Sequence, residues 1–104
     1  MKLCDKELGR AYRKYNKLYF DGALPQDVDV FFSPAEDSYG QVQEEAGGWT
    51  LQINPKYSPD HRMWKMVLLH EMAHLAVHPY PSHGAKFQAE MLRLATAGAF
   101  KGLW

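Results

Sequence analysis

The strongest constraint on the fold is an apolar segment in the second half of the chain. Between positions 66 and 77 every residue is apolar except His70, Glu71 and His74. A helix that is apolar nearly all round must be buried on several sides. A chain of 104 residues, 46% of them hydrophobic, can supply one small core for such a helix. We therefore expect a single domain over residues 1–104, built around this buried helix.

The remaining elements follow from hydrophobic periodicity and turn signals. Apolar residues recur at three- and four-residue spacing from Leu8 to Tyr19, which predicts an amphipathic helix ended by Asp21 and Gly22. The central helix is expected to start at a Ser58 cap with Pro59 as its first residue. Three β-prone runs lie at 28–32, 39–43 and 49–53, the central helix reaches about 78, and a last helix covers about 82–97. This order predicts an α+β fold with an N-terminal helix, a small and mainly antiparallel sheet of about three strands, a buried helix and a C-terminal helix.

Charge and cysteine content narrow the functional classes. The 12 basic and 12 acidic residues cancel, which argues against a domain that binds nucleic acid through bulk charge. The ends of the chain are nevertheless basic and the middle acidic, and the basic residues of the first helix lie opposite its apolar stripe. Cys4 is the only cysteine, which excludes an internal disulfide and a four-cysteine zinc ribbon. No apolar targeting segment opens the chain, so we expect a cytoplasmic, non-secreted protein without membrane spans.

The histidines of the central helix have metal-ligand spacing. Residues 70–74 read His-Glu-Met-Ala-His, an HExxH motif. Four-residue spacing places His70 and His74 on one helix face, close enough to hold one ion, while Glu71 projects about 100° away, beside that ion. A carboxylate there can take a proton from an activated water, as zinc peptidases require. We expect one Zn²⁺, bound by His70 and His74, with Glu71 as the general base.

A catalytic zinc site needs a third protein ligand. The candidates are His61, His78, His83 and Glu90. His61 and His78 lie too far along the same straight helix to reach the ion. His83 follows a turn that contains two prolines and is the favoured candidate, with Glu90 on the next helix as the alternative.

Four ordered segments resemble the SprT-like metallopeptidase family. They are the opening Tyr15–Leu24, the strand at 28–33, the motif at 68–74 and the His83-Gly84-x-x-Phe87 continuation. The resemblance implies a minimal zincin-like fold in which His70, His74 and His83 bind zinc, Glu71 is catalytic and Phe87 lies in the core. It also implies an endopeptidase that cleaves proteins, including proteins bound or crosslinked to DNA.

Several further expectations complete this interpretation. Aromatic and histidine side chains near the motif are candidates for substrate or oxyanion contacts: Trp49, Tyr57, His78 and Tyr80. The strand of Trp49 is a candidate sheet edge for an extended peptide. DNA is a further candidate partner through the basic face of the first helix, which would give a nucleoid or nuclear location. The protein is expected to be monomeric. The alternative function is a zinc-stabilised binding module that does not cleave.

Overall fold

The computed structural model describes residues 5–34, 39–45, 48–57, 60–78 and 84–103. Three helices and a three-stranded sheet follow one another as α1 (Asp5–Tyr19), β1 (Val28–Phe32), β2 (Gly40–Glu45), β3 (Gly48–Ile53), α2 (His61–Ala76) and α3 (Ala85–Thr96). The predicted α+β class and element order are confirmed. The described part of the chain contains no helix that is both long enough and apolar enough to cross a bilayer.

The sheet has the order β1-β3-β2, so the last strand in sequence lies in the middle. β3 pairs with β2 in antiparallel orientation and with β1 in parallel orientation. The sheet is therefore mixed, where the sequence had suggested a mainly antiparallel one. The prediction that the strand of Trp49 offers a free edge is wrong, because β3 is paired on both sides. Among the described residues, β2 pairs only with β3 and forms an edge of the sheet.

One face of the sheet packs against the helices. Val30 of β1 lies opposite Leu51 of β3, and both are buried, as is Ile53 two positions further along the same strand. Tyr12 and Tyr15 of α1 are also buried, as is Trp64 of α2, which is 1% exposed. These aromatic residues belong to the core, as their helical spacing predicted.

The ends of the first two helices are fixed by local hydrogen bonds. After α1 the amide of Gly22 donates to the carbonyl of Asn16 at 2.9 Å, and Asp21 and Gly22 both adopt positive φ. This arrangement closes the helix in the way that left-handed caps do. The start of α2 corrects the prediction: Asp60, not Ser58, is the N-cap, and its carboxylate accepts the amide hydrogen of Met63 at 2.9 Å. Residues 58–59 lie outside the described residues.

Candidate metal centre

Helix α2 presents the HExxH motif from within the core. Five residues that flank or separate the motif residues are less than 6% exposed: Leu68, Leu69, Met72, Ala73 and Leu75. Because contacts on several sides of the helix hold its orientation, the side chains of His70, Glu71 and His74 project from a fixed frame. The two imidazoles are partly buried and Glu71 is buried.

The Nε2 atoms of His70 and His74 lie 3.2 Å apart. If each nitrogen bound a zinc ion at the usual 2.0–2.1 Å, this separation would correspond to a ligand–metal–ligand angle of about 100°, close to tetrahedral. The ring centroids are 4.9 Å apart and the ring planes meet at 73°. Paired nitrogens at this separation therefore fit two ligand positions of a zinc site.

The aromatic ring of Phe87, in the first turn of α3, contacts both imidazoles. It stacks on His74 with a centroid distance of 4.2 Å and an interplanar angle of 20°. It meets His70 at 4.9 Å in a T-shaped arrangement. Phe87 is 3% exposed, so its predicted place in the core is correct. The ring also forms one wall of the candidate metal centre.

The Glu71 carboxyl group lies in a shielded position between α2 and the edge strand. The side chain is 6% exposed, and burial raises its pKa from 4.5 to about 7 in the metal-free chain. β2 approaches the Glu71 side chain closely at Gly40, since a Cβ added at Gly40 would lie 3.3 Å from Cγ of Glu71. A carboxyl group whose pKa lies near neutrality is suited to accept and return a proton.

The other candidate ligands on the described part of the chain do not join the histidine pair. The described residues contain no group of three histidine, cysteine, aspartate or glutamate side chains arranged to hold a metal. Glu90 forms an ion pair with Arg93, and the ring of His61 contacts the carboxylate of Glu7 at 2.7 Å. His83, the favoured third ligand, lies outside the described residues together with the rest of 79–83.

Comparison with known proteins agrees with this arrangement. The sequence profile of the SprT-like family matches residues 8–102. The chain belongs to the SprT-like family. This membership supports a metallopeptidase-type function and implies a metal cofactor, which in such peptidases is usually zinc. No curated protein matches the chain significantly.

The fold of this SprT-like domain is also similar to that of a solved structure, the metallopeptidase zymogen of Pyrococcus abyssi abylysin. The superposition has a TM-score of 0.59 at 20% sequence identity and covers 96% of this chain and 88% of the other. At this identity the comparison establishes the fold.

Three side chains of the SprT-like domain that were predicted to contact substrate lie in two aromatic pairs. Trp49 of β3 meets His78 edge-to-face, with ring centroids 4.8 Å apart. His78 follows His74 by four residues, about one helical turn. Tyr57 pairs at 5.1 Å with Tyr39, the residue that precedes β2. The roles predicted for Trp49, His78 and Tyr57 stay predictions, and Tyr80 lies outside the described residues.

Sequence reasoning missed two residues of this site. Gly40 was part of a weak strand candidate, yet it is the position at which β2 approaches Glu71. A glycine inside a strand often marks a close backbone approach, and that signal was present. The sequence did not single out Tyr39, which is 60% exposed and whose ring lies beside that of Tyr57. No sequence pattern distinguishes such an exposed tyrosine from an ordinary loop residue.

Proposed function

We propose that this SprT-like domain is a zinc-dependent endopeptidase in which Glu71 is the general base. The observation that carries the proposal is that α2 holds the buried Glu71 directly after His70, whose Nε2 atom lies 3.2 Å from that of His74. Two neutral imidazoles and an adjacent carboxylate are the donor set and the base that zinc peptidases use. His83 is the proposed third ligand, by its position in the family motif.

The bound zinc ion would supply Lewis acidity toward water and the peptide carbonyl. Glu71 would accept a proton from the attacking water on its carboxylate and later return it to the leaving amine. The apolar surroundings of α2 exclude bulk water from this carboxylate. His70 and His74 would remain neutral and act as nitrogen donors. The proposed chemistry thus needs no further acid or base beyond Glu71.

The outer edge of β2 is the proposed place for the substrate backbone. Strand β2 begins at Gly40, which faces Glu71. No described strand pairs with the edge of β2 that points away from β3, and an extended peptide can add there as a further strand. Main-chain hydrogen bonds would then hold the peptide in a sequence-independent way. The proposed peptide-binding strand is therefore β2 and not β3, the strand of Trp49.

Proteins bound to DNA are the proposed substrate class, with DNA as the proposed partner. The support is the family resemblance and the outer face of α1, on which five basic residues are all exposed: Lys6, Arg10, Arg13, Lys14 and Lys17. Such a face can contact phosphates, and the contact should weaken as salt rises. A cytoplasmic or DNA-associated location belongs to the same proposal.

Metal analysis combined with a cleavage assay tests the proposed function. The purified protein should contain about one zinc per chain and should cleave an unfolded or DNA-bound protein, assayed with and without single-stranded DNA. Glu71→Gln should keep the zinc and lose cleavage by several orders of magnitude. Asp29→Asn, which removes an exposed carboxylate from β1 at the opposite edge of the sheet, is the matched control and should cleave normally. Normal cleavage by Glu71→Gln would contradict the mechanism, and zinc-dependent folding without any cleavage would favour the non-cleaving module.

A further inference from the structure

We infer that Phe87 is a positioning residue that preorganises the two imidazoles for zinc. The inference rests on the proposed zinc site and adds a role for a side chain that the family resemblance assigned to the core. Its basis is that one ring contacts His70 and His74 together. Phe87 would not bind the metal, but would fix the rings that do.

A packing partner matters for a histidine ring because the χ2 torsion, which sets the ring orientation, has only weak intrinsic preferences. Rotation about χ2 of histidine has broad energy wells, so an imidazole without packing neighbours samples many ring orientations. Every orientation lost upon metal binding weakens the observed affinity. A flat ring stacked 4.2 Å from His74 at an interplanar angle of 20° restricts this rotation before the metal arrives.

The same aromatic ring restrains His70 from a different direction. Its T-shaped contact with His70 at 4.9 Å fixes the second imidazole relative to the first. The two Nε2 atoms are thereby held 3.2 Å apart, the separation that suits one tetrahedral ion. An aliphatic side chain of similar size could fill the space but has no flat face for an imidazole to stack on.

The position of Phe87 in the chain adds a second element to the centre. Phe87 lies in the first turn of α3, whereas both imidazoles belong to α2. The ring therefore joins the two helices at the place where the metal would bind. Because outer-shell partners of metal ligands typically alter metal affinity 10- to 100-fold, we expect replacement of the ring to have an effect of about tenfold or more.

Zinc affinity and stability, measured separately on the full chain, test this role. Phe87→Leu should weaken zinc binding about tenfold in a chelator competition, while the metal-free protein stays folded. The absorption spectrum of the cobalt-substituted protein should also change, since it reports ligand geometry. Phe87→Met, which keeps more of the side-chain length, is the second variant and replaces Phe87→Leu if that variant does not fold. It should also weaken zinc binding.

Leu94→Ala is the matched control for general destabilisation. Leu94 is fully buried on the same helix, seven residues and about 10 Å beyond Phe87. This variant should unfold more readily yet bind zinc within about threefold of the wild type. Unchanged zinc affinity in the folded Phe87 variants, or an equal loss in Leu94→Ala, would overturn the inference. A wild-type protein that binds no zinc would instead overturn the proposed function, so the two failures are distinguishable.

Discussion

Gly40 faces Glu71 across the interface between the edge strand and the motif helix, and the gap between them is too narrow for a side chain at position 40. A Cβ at position 40 would lie 3.3 Å from Cγ of Glu71, 3.0 Å from Cγ1 of Val67 and 2.7 Å from the carbonyl oxygen of Gln52. The last of these distances is shorter than real Cβ contacts allow, and a backbone atom cannot move aside as a flexible side chain can. Only glycine lets β2 keep both its pairing with β3 and its close approach to Glu71.

Gly40→Ala should therefore impair both stability and catalysis. Overpacking of this kind typically costs about 1–3 kcal/mol of unfolding free energy. The cleavage rate per folded molecule should also fall, because β2 or the Glu71 side chain must shift. Chemical denaturation followed by kcat and KM measurements, at a temperature where the variant is folded, would check both effects.

Gly48→Ala is the control for the loss of a glycine from the same sheet. Among the described residues, a Cβ at Gly48 would meet only the carbonyl oxygen of Asp27, at an ordinary 3.4 Å. This variant should be close to the wild type in kcat and in unfolding free energy. If Gly40→Ala behaved in the same way, the close approach of β2 to Glu71 would contribute neither to catalysis nor to stability.

Burial of Glu71 should make the metal-free protein less stable as pH rises. The pKa of the carboxyl group is about 7 in the folded chain and 4.5 as a free group, so the folded state binds this proton more tightly. This tighter proton binding adds at most about 3 kcal/mol to the unfolding free energy. The contribution is fully present below about pH 4.5 and is lost as pH rises to about 7. Glu71→Gln should remove this pH dependence and stabilise the metal-free protein above pH 7. Urea denaturation in the presence of chelator, from pH 4.5 to 8, is the measurement, and Asp29→Asn, which removes an exposed carboxylate, is the control.

Tyr12 should contribute to a loss of stability at alkaline pH. Its hydroxyl donates to the carbonyl of Pro25 at 2.7 Å, and burial raises its pKa from 10.0 to about 12. The folded state therefore binds the phenolic proton more tightly than the unfolded state does. The resulting contribution to the unfolding free energy is fully present below pH 10 and is lost as pH rises to about 12. Tyr12→Phe should cost about 1 kcal/mol at pH 7 and reduce the alkaline loss. Thermal melts between pH 7 and 11.5 would show this, with the exposed Tyr39→Phe as the control.

The Asn16 side chain should be one of the most sensitive positions outside the metal centre. Its amide group donates to the carbonyl of Leu24 at 3.2 Å, and its oxygen accepts the amide hydrogen of Leu24 at 3.1 Å. Asn16 is 2% exposed, so Asn16→Ala would leave two buried backbone groups without partners, at a cost of about 2–4 kcal/mol. Lys17→Ala, the exposed neighbour on α1, should change stability by less than about 0.5 kcal/mol. A small effect of Asn16→Ala in urea denaturation would contradict this assignment.

Periodicity and residue type were sufficient to predict the helices, the strands and much of the core. Tyr12, Tyr15 and Trp64 recur at helical spacing among other apolar residues, which fixed both their helices and their burial. The HExxH spacing likewise placed two imidazoles on one face of α2. These predictions depend on local geometry, which the sequence encodes directly.

Features that depend on contacts between secondary-structure elements could not be predicted from the sequence. Alternation of apolar residues predicts a strand but not its neighbour, so the parallel pairing of β1 with β3 was missed. Ser58 and Asp60 are both good helix caps, and only the folded chain distinguishes them. The contact of Phe87 with both imidazoles depends on how α3 docks against α2, for which no spacing rule exists.

The strand order has a consequence for the way the domain acquires its structure. Glu45 of β2 pairs with Gly48 of β3, so the strand that faces Glu71 pairs with its neighbour in sequence. Val28 of β1, by contrast, pairs with Trp49, about 20 positions later, and loop closure of that length slows pairing. The β2–β3 hairpin should therefore form early and β1 should join late. Truncation of Val42 would then slow refolding, whereas an equally destabilising truncation of Val30 would mainly accelerate unfolding.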